Sequence, residues 1–118
     1  MSTILIVDDD PNLREALAES LQSKGYDIAV ANNGAEALDW LHKSDAPGLI
    51  LLDLMMPIMD GHEFLARRKH EPSLADIPVV VITAGWHPGG SGVPEAAEVL
   101  YKPFGTDKLM NAVQQHCR

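Results

Sequence analysis

The chain has 118 residues, 46% of them hydrophobic and 22% charged, with a formal net charge of −8. That length suffices for one domain with a proper core, and the acidic balance argues against a nucleic-acid footprint, which needs clustered Lys and Arg. A single cysteine, Cys117, rules out a disulfide framework within the chain and fits a reducing cytoplasm. Asp8-Asp9-Asp10 ends the first apolar run too early for a signal peptide, and no apolar stretch is long enough to cross a bilayer. The one basic run, Arg67-Arg68-Lys69, reads as the solvated face of a helix.

In chain order, Ile4-Leu5-Ile6-Val7 is a short aliphatic strand that runs into acid. Asp10 is placed to cap a helix that has Pro11 at its first position. Leu13, Leu17 and Leu21 give that helix an apolar stripe, and Gly25 closes it. Ile28 to Ala31 is a second strand. Asn32-Asn33-Gly34 then turns into a helix with Ala37, Leu38 and Leu41 inward and Trp40 covering a neighbouring seam. Ala46-Pro47-Gly48 leads to Leu49-Ile50-Leu51-Leu52-Asp53, a run apolar enough to be buried on both faces of a parallel sheet. A helix is expected over His62–His70 with Phe64 and Leu65 buried, then a plain connection from Pro72 to Pro78. Val79 to Ile82 is the fourth strand, ending in Thr83-Ala84, and Val99 to Tyr101 the fifth, ending in Lys102-Pro103. Gly105-Thr106-Asp107 starts a last helix whose inner face is Leu109, Met110, Val113 and Cys117.

Strands thus alternate with helices, which implies one domain over 1–118 with a parallel sheet covered on both faces. In such a sheet ligands bind along the C-terminal ends of the strands. Four strands end there in a functional group: Asp8 and Asp9, Asp53, Thr83 and Lys102. If the first and third strands are neighbours, three carboxylates converge. They can share a site only if some are protonated or a hard cation binds. Oxygen-only ligands suit magnesium, and a lysine and a hydroxyl beside it would stabilise a phosphoryl group. Asp53 is then the natural nucleophile, since a carboxylate can form an acyl phosphate.

With those residues in order, the chain resembles a receiver domain of a bacterial two-component response regulator, from Ile4 to the last helix. The matching features are Asp8-Asp9, Asp53, then Pro57, Asp60 and Gly61, then Thr83-Ala84, and Lys102-Pro103-Phe104. The resemblance implies a flavodoxin-like (βα)5 three-layer sandwich with a sheet of order 2-1-3-4-5. It implies that Asp53 accepts a phosphoryl group from a histidine kinase, a histidine phosphotransfer domain or a small donor. Magnesium would be bound by the Asp9 and Asp53 carboxylates and the Met55 backbone carbonyl, with Asp8 acting through water. Lys102 would pair with Asp53 and then with its phosphoryl group. Thr83 would bond the phosphoryl oxygen and carry the switch, while the small Ala84 leaves the group accessible. The Lys102–Pro103 bond is cis in the family. The expected module is cytoplasmic and monomeric, touches neither nucleic acid nor membrane, passes its signal to an output protein, and catalyses only its own phosphorylation and dephosphorylation.

The sequence departs from the family between Thr83 and Lys102. Gly85-Trp86-His87-Pro88-Gly89-Gly90-Ser91-Gly92-Val93-Pro94 holds four glycines and two prolines, which cannot form a stable helix interior. The helix joining the fourth and fifth strands is expected to be short or replaced by a loop. The family's switch aromatic falls on Val99, and the nearest aromatic is Tyr101. Signalling is then expected through a flexible loop ordered on phosphorylation or through another face, and Trp86 and His87 read as a surface turn. His42, His62, His70, His87 and His116 have no metal spacing and read as surface residues, and Met55, Met56 and Met59 as loop packing. Two other functions compete. A phosphate-independent interaction module is opposed by the intact Asp8, Asp9, Asp53, Thr83 and Lys102. A phosphatase acting on external esters is opposed by Met55, which stands where such enzymes carry a second acid to protonate the leaving group.

Overall fold

The structure is a computed structural model that describes residues 2–54, 59, 61–83, 96–102 and 104–118. In chain order the elements are β1 Thr3–Val7, α1 Pro11–Gln22, β2 Asp27–Ala31, α2 Gly34–Lys43, β3 Leu49–Asp53, α3 Gly61–Lys69, α4 Pro72–Ala75, β4 Val79–Thr83, β5 Glu98–Tyr101 and α5 Thr106–His116. The strands form one all-parallel sheet of order β2-β1-β3-β4-β5. This is the flavodoxin-like order expected. The chain steps outward from β1 to β2 and returns to β3, so the direction of winding reverses between β1 and β3.

Strand alternation sorts the core into two halves. Leu5, Val7, Ile50, Leu52, Val79 and Val81 pack with Ala37, Leu38 and Leu41 of α2, Phe64 and Leu65 of α3 and Leu74 of α4. Their neighbours Ile4, Ile6, Leu49, Leu51, Val80 and Ile82 pack with Leu17 and Leu21 of α1 and Leu109, Ala112 and Val113 of α5. That is a three-layer sandwich. Each fully buried aliphatic side chain contributes about 1.5–3 kcal/mol by leaving water. β3 is buried at all five positions, as its unbroken aliphatic run predicts. Trp40 packs against the α2–α3 half, covering the seam expected of it. In α5, Leu109 and Val113 are buried, whereas Met110 and Cys117 are only partly covered and Ala112 takes the remaining inner position.

Local capping follows the sequence. Asp10 accepts from the backbone N–H groups of Asn12 and Leu13, with Pro11 at the first helical position. Asn33 caps α2 by accepting from the Glu36 amide. Gly25 has φ 96°, the left-handed conformation that ends α1 cheaply only with glycine.

Two expectations need correction. The stretch from Pro72 to Pro78 is not a plain connection, because it contains α4, started by Pro72 and anchored by the buried Leu74. Arg68 is not on a solvated face. It is 6% exposed and its guanidinium donates to the carbonyls of Ala75 and Ile77, tying α3 to the entry of β4. Arg67 and Lys69 are exposed as expected. The segment 85–94, with Trp86 and His87, lies outside the described residues, so the expectation of a shortened helix there falls outside them too. No helix among the described residues is long and apolar enough to cross a membrane.

Candidate functional site

Register brings the first acid to the third strand. Val7 is paired with Leu52, so Asp8, one residue on, arrives beside Asp53. Asp53 is in turn paired with Ile82, and Thr83 with Tyr101 just before Lys102. Alternation then decides which side chains meet. Asp8 follows the parity of Ile4 and Ile6, Asp53 that of Leu49 and Leu51, and Lys102 that of Leu100, all on the α1–α5 side. Thr83 has the opposite parity, that of Val79 and Val81. Its own carbonyl accepts from the Lys102 amide at 2.8 Å, which fixes where the lysine leaves the sheet.

The three charged side chains do converge. Lys102 Nζ lies 3.2 Å from Asp8 Oδ2 and 3.5 Å from Asp53 Oδ2. The lysine was expected to pair with Asp53, and it bridges both acids, with the shorter contact to Asp8. Asp8 is wholly buried, so it is the carboxylate with most need of a counter-charge. Its other oxygen, Oδ1, accepts from the Asp10 amide at 2.9 Å. Asp53 is 4% exposed and Thr83 fully buried, while Asp9 stands in solvent. A cavity of about 300 Å³ lined by Asp10, Leu13, Lys102 and Phe104 opens beside the lysine.

Two glycines approach the backbone of Leu54 and Met59, the described residues between Asp53 and α3. The Gly61 amide donates to Leu54 O at 3.1 Å, and a Cβ on Gly61 would lie 2.7 Å from Leu54 Cα and 2.9 Å from Asp53 O. Only glycine allows α3 to start that near the backbone at the end of β3. Gly34 donates to Met59 O at 3.3 Å, and Met59 is buried as loop packing.

Asp8, Asp9 and Asp53 each offer a carboxylate oxygen, and the three oxygens lie within 4.8 Å of one another. Against these acids the described residues set one lysine. An oxygen-only cluster with surplus negative charge fits a hard divalent cation that keeps open positions. Met55, Pro57, Asp60, Ala84 and Pro103 lie outside the described residues, and with them the expected backbone ligand and the cis bond. Of the histidines, His42, His62 and His70 are exposed, but His116 is partly buried and pairs with Glu98 at 3.0 Å; His87 lies outside the described residues. One residue near the site escaped the sequence reading. Arg14 Nη1 donates to Asp8 O at 2.8 Å. The available signal was that Arg14 is the first basic residue of the chain, one helical turn past an acidic triplet.

Comparison with known proteins places this geometry. The response regulator receiver domain family matches residues 4–114. The C4-dicarboxylate transport transcriptional regulatory protein DctD of Pseudomonas aeruginosa is 38% identical over 120 residues, 95% of this chain and 24% of that protein. Response regulator MprA of Mycobacterium avium is 39% identical over 110 residues, 91% of this chain and 47% of that one. The chain therefore spans between a quarter and a half of these relatives. Among solved structures, response regulator TrrA of Thermotoga maritima, in complex with Mg²⁺ and BeF, superposes with a TM-score of 0.86 at 35% identity, covering 98% of each chain.

Proposed function

Since the chain belongs to the response regulator receiver domain family of two-component systems, we propose that it is a phosphoacceptor whose phosphorylated residue is Asp53. The observation that carries this reading is the setting of that carboxylate. It is 4% exposed at the end of the central strand, clustered with Asp8 and Asp9 oxygens, with an ammonium 3.5 Å away. In the proposed reaction an Asp53 oxygen attacks the phosphorus of a phosphohistidine on a histidine kinase or histidine phosphotransfer domain. The O–P bond forms, the P–N bond breaks, and the imidazole leaves with the electron pair and takes up a proton. A small donor such as acetyl phosphate would serve in the same way.

Lys102 is held between Asp8 and Asp53, so it can follow the transferring group and neutralise its equatorial oxygens without a large movement. The Thr83 hydroxyl is assigned the role of donating to a phosphoryl oxygen and carrying the change into β4 and β5. Magnesium, held by Asp9, Asp53 and the Met55 carbonyl with Asp8 through water, would supply charge neutralisation for two anionic groups brought together. The donor set fits that ion. A single sheet and a two-sided core support one receiver unit over 1–118, and the lone thiol supports a cytoplasmic setting. The output protein is a partner that distinguishes the two states of the domain.

The test is intact-protein mass spectrometry after incubation with acetyl phosphate and magnesium. One phosphoryl adduct is expected on the wild type, absent with chelator and absent from Asp53→Asn. An adduct of equal yield on Asp53→Asn would overturn the assignment.

A further inference from the structure

Asp9 is an unusual member of the acid cluster. It is exposed, and among the described residues its carboxylate makes no hydrogen bond or ion pair. Among the described residues it is therefore restrained only through its backbone, which sets where its Cβ stands and the range its carboxylate can sweep. Both peptide units that flank it are pinned. On the C-terminal side, the Asp10 amide donates to Asp8 Oδ1 at 2.9 Å. On the N-terminal side, the Asp8 carbonyl accepts from Arg14 Nη1 at 2.8 Å. Arg14 itself is fixed, because its amide donates to Asp10 O at 3.0 Å in the first turn of α1 and its side chain is half-buried. A helix that is capped by Asp10 thus reaches back to the end of the strand it follows.

We propose that Arg14 is a positioning residue for the cation ligand Asp9, acting through the Asp8–Asp9 peptide. The inference rests on the reading of Asp8, Asp9 and Asp53 as a magnesium site. It makes a prediction opposite in sign to simple electrostatics. A guanidinium this near a cation site repels the cation, so if charge alone mattered its removal would tighten binding. If Arg14 orients a ligand that has no other restraint, its removal weakens binding, as loss of groups that orient metal ligands generally does.

The experiment is calorimetric titration of the full chain with magnesium alone, at fixed ionic strength, for wild type, Arg14→Ala and Arg14→Lys, each with its thermal melt. Arg14→Ala is expected to bind on the order of tenfold more weakly, and Arg14→Lys, which keeps charge and a donor, to fall between it and wild type. In an Asp9→Asn background, Arg14→Ala is expected to add no further loss, because the ligand it orients has gone. A purely structural role would give the same loss in both backgrounds and would overturn the proposal. So would unchanged or tighter binding by Arg14→Ala. If that variant does not fold, Arg14→Lys and Arg14→Gln decide the same question. Absence of magnesium binding by the wild type would overturn the metal reading itself, whereas binding by wild type with no deficit in the variants would overturn only the part assigned to Arg14.

Discussion

At the N-terminal edge of the sheet the chain closes on itself through its backbone. The Gly48 amide donates to Thr3 O at 2.8 Å, the Arg118 amide to Gly48 O at 3.1 Å, and the Asp27 amide to Ser2 O at 3.2 Å. The Ser2 hydroxyl donates to Arg118 O, and a Cβ on Gly48 would collide with that carbonyl. At the C-terminal edge the strands end in side-chain charge. Two buried carboxylates and one exposed one face a single ammonium among the described residues. Among the described residues the first edge is made of backbone and hydroxyl pairs that satisfy each other. The second has a deficit of positive charge built into a buried place, and such a deficit is what a cation or a transferable phosphoryl group can relieve. Stability and function have been assigned to opposite ends of the same five strands.

The difference can be probed by substitution at each end. The largest expected effect is at Asp53: Asp53→Asn removes the phosphoryl adduct entirely and, by deleting one of three like charges, raises stability by on the order of 1 kcal/mol. A denaturant melt without magnesium checks the sign. Lys102→Ala should act in the reverse direction on stability. It leaves Asp8 buried without its counter-charge, at a cost of about 3 kcal/mol, and slows acetyl phosphate labelling by more than about tenfold. Next come the two glycines. Gly48→Ala and Gly61→Ala each force close contacts and should cost about 1–3 kcal/mol. Only Gly61→Ala should also weaken magnesium binding, because its clash falls on the Asp53 carbonyl and the following Leu54; equal effects on binding would erase the distinction between the edges.

The smallest effect concerns Cys117. Burial pushes its thiol pKa up, and a hydrogen bond with Ser2 partly offsets this. The folded pKa lies above the unfolded one, so the unfolded chain loses its proton first. Stability should therefore be unaffected at neutral pH and fall slightly as pH rises through the ordinary thiol range. Cys117→Ser should flatten that alkaline decline.

Much of this was legible in residue order. The aliphatic runs of β1, β3 and β4, with the acids that end the first two and the threonine that ends the third, made the sheet and one edge of the site legible, because continuous apolar strands occur where both faces are covered. α4 was not legible, since a four-residue helix has too few turns to show a period. Arg68 read as surface because its charge predicts exposure, and only the fold supplies the carbonyls of Ala75 and Ile77 that let it be buried. The preference of Lys102 for Asp8 needed the β1–β3 register, which no local pattern encodes. Arg14 needed the turn of α1 back toward the strand end.

The most direct test of the account is an NMR titration of backbone amides with magnesium followed by beryllofluoride. The predicted result is a set of large shifts confined to the strand ends at Asp8, Asp9, Asp53, Thr83 and Lys102, with Ser2, Gly48 and Cys117 unmoved. Shifts that are absent at the acids, or as large around Gly48 as around Asp53, would contradict it.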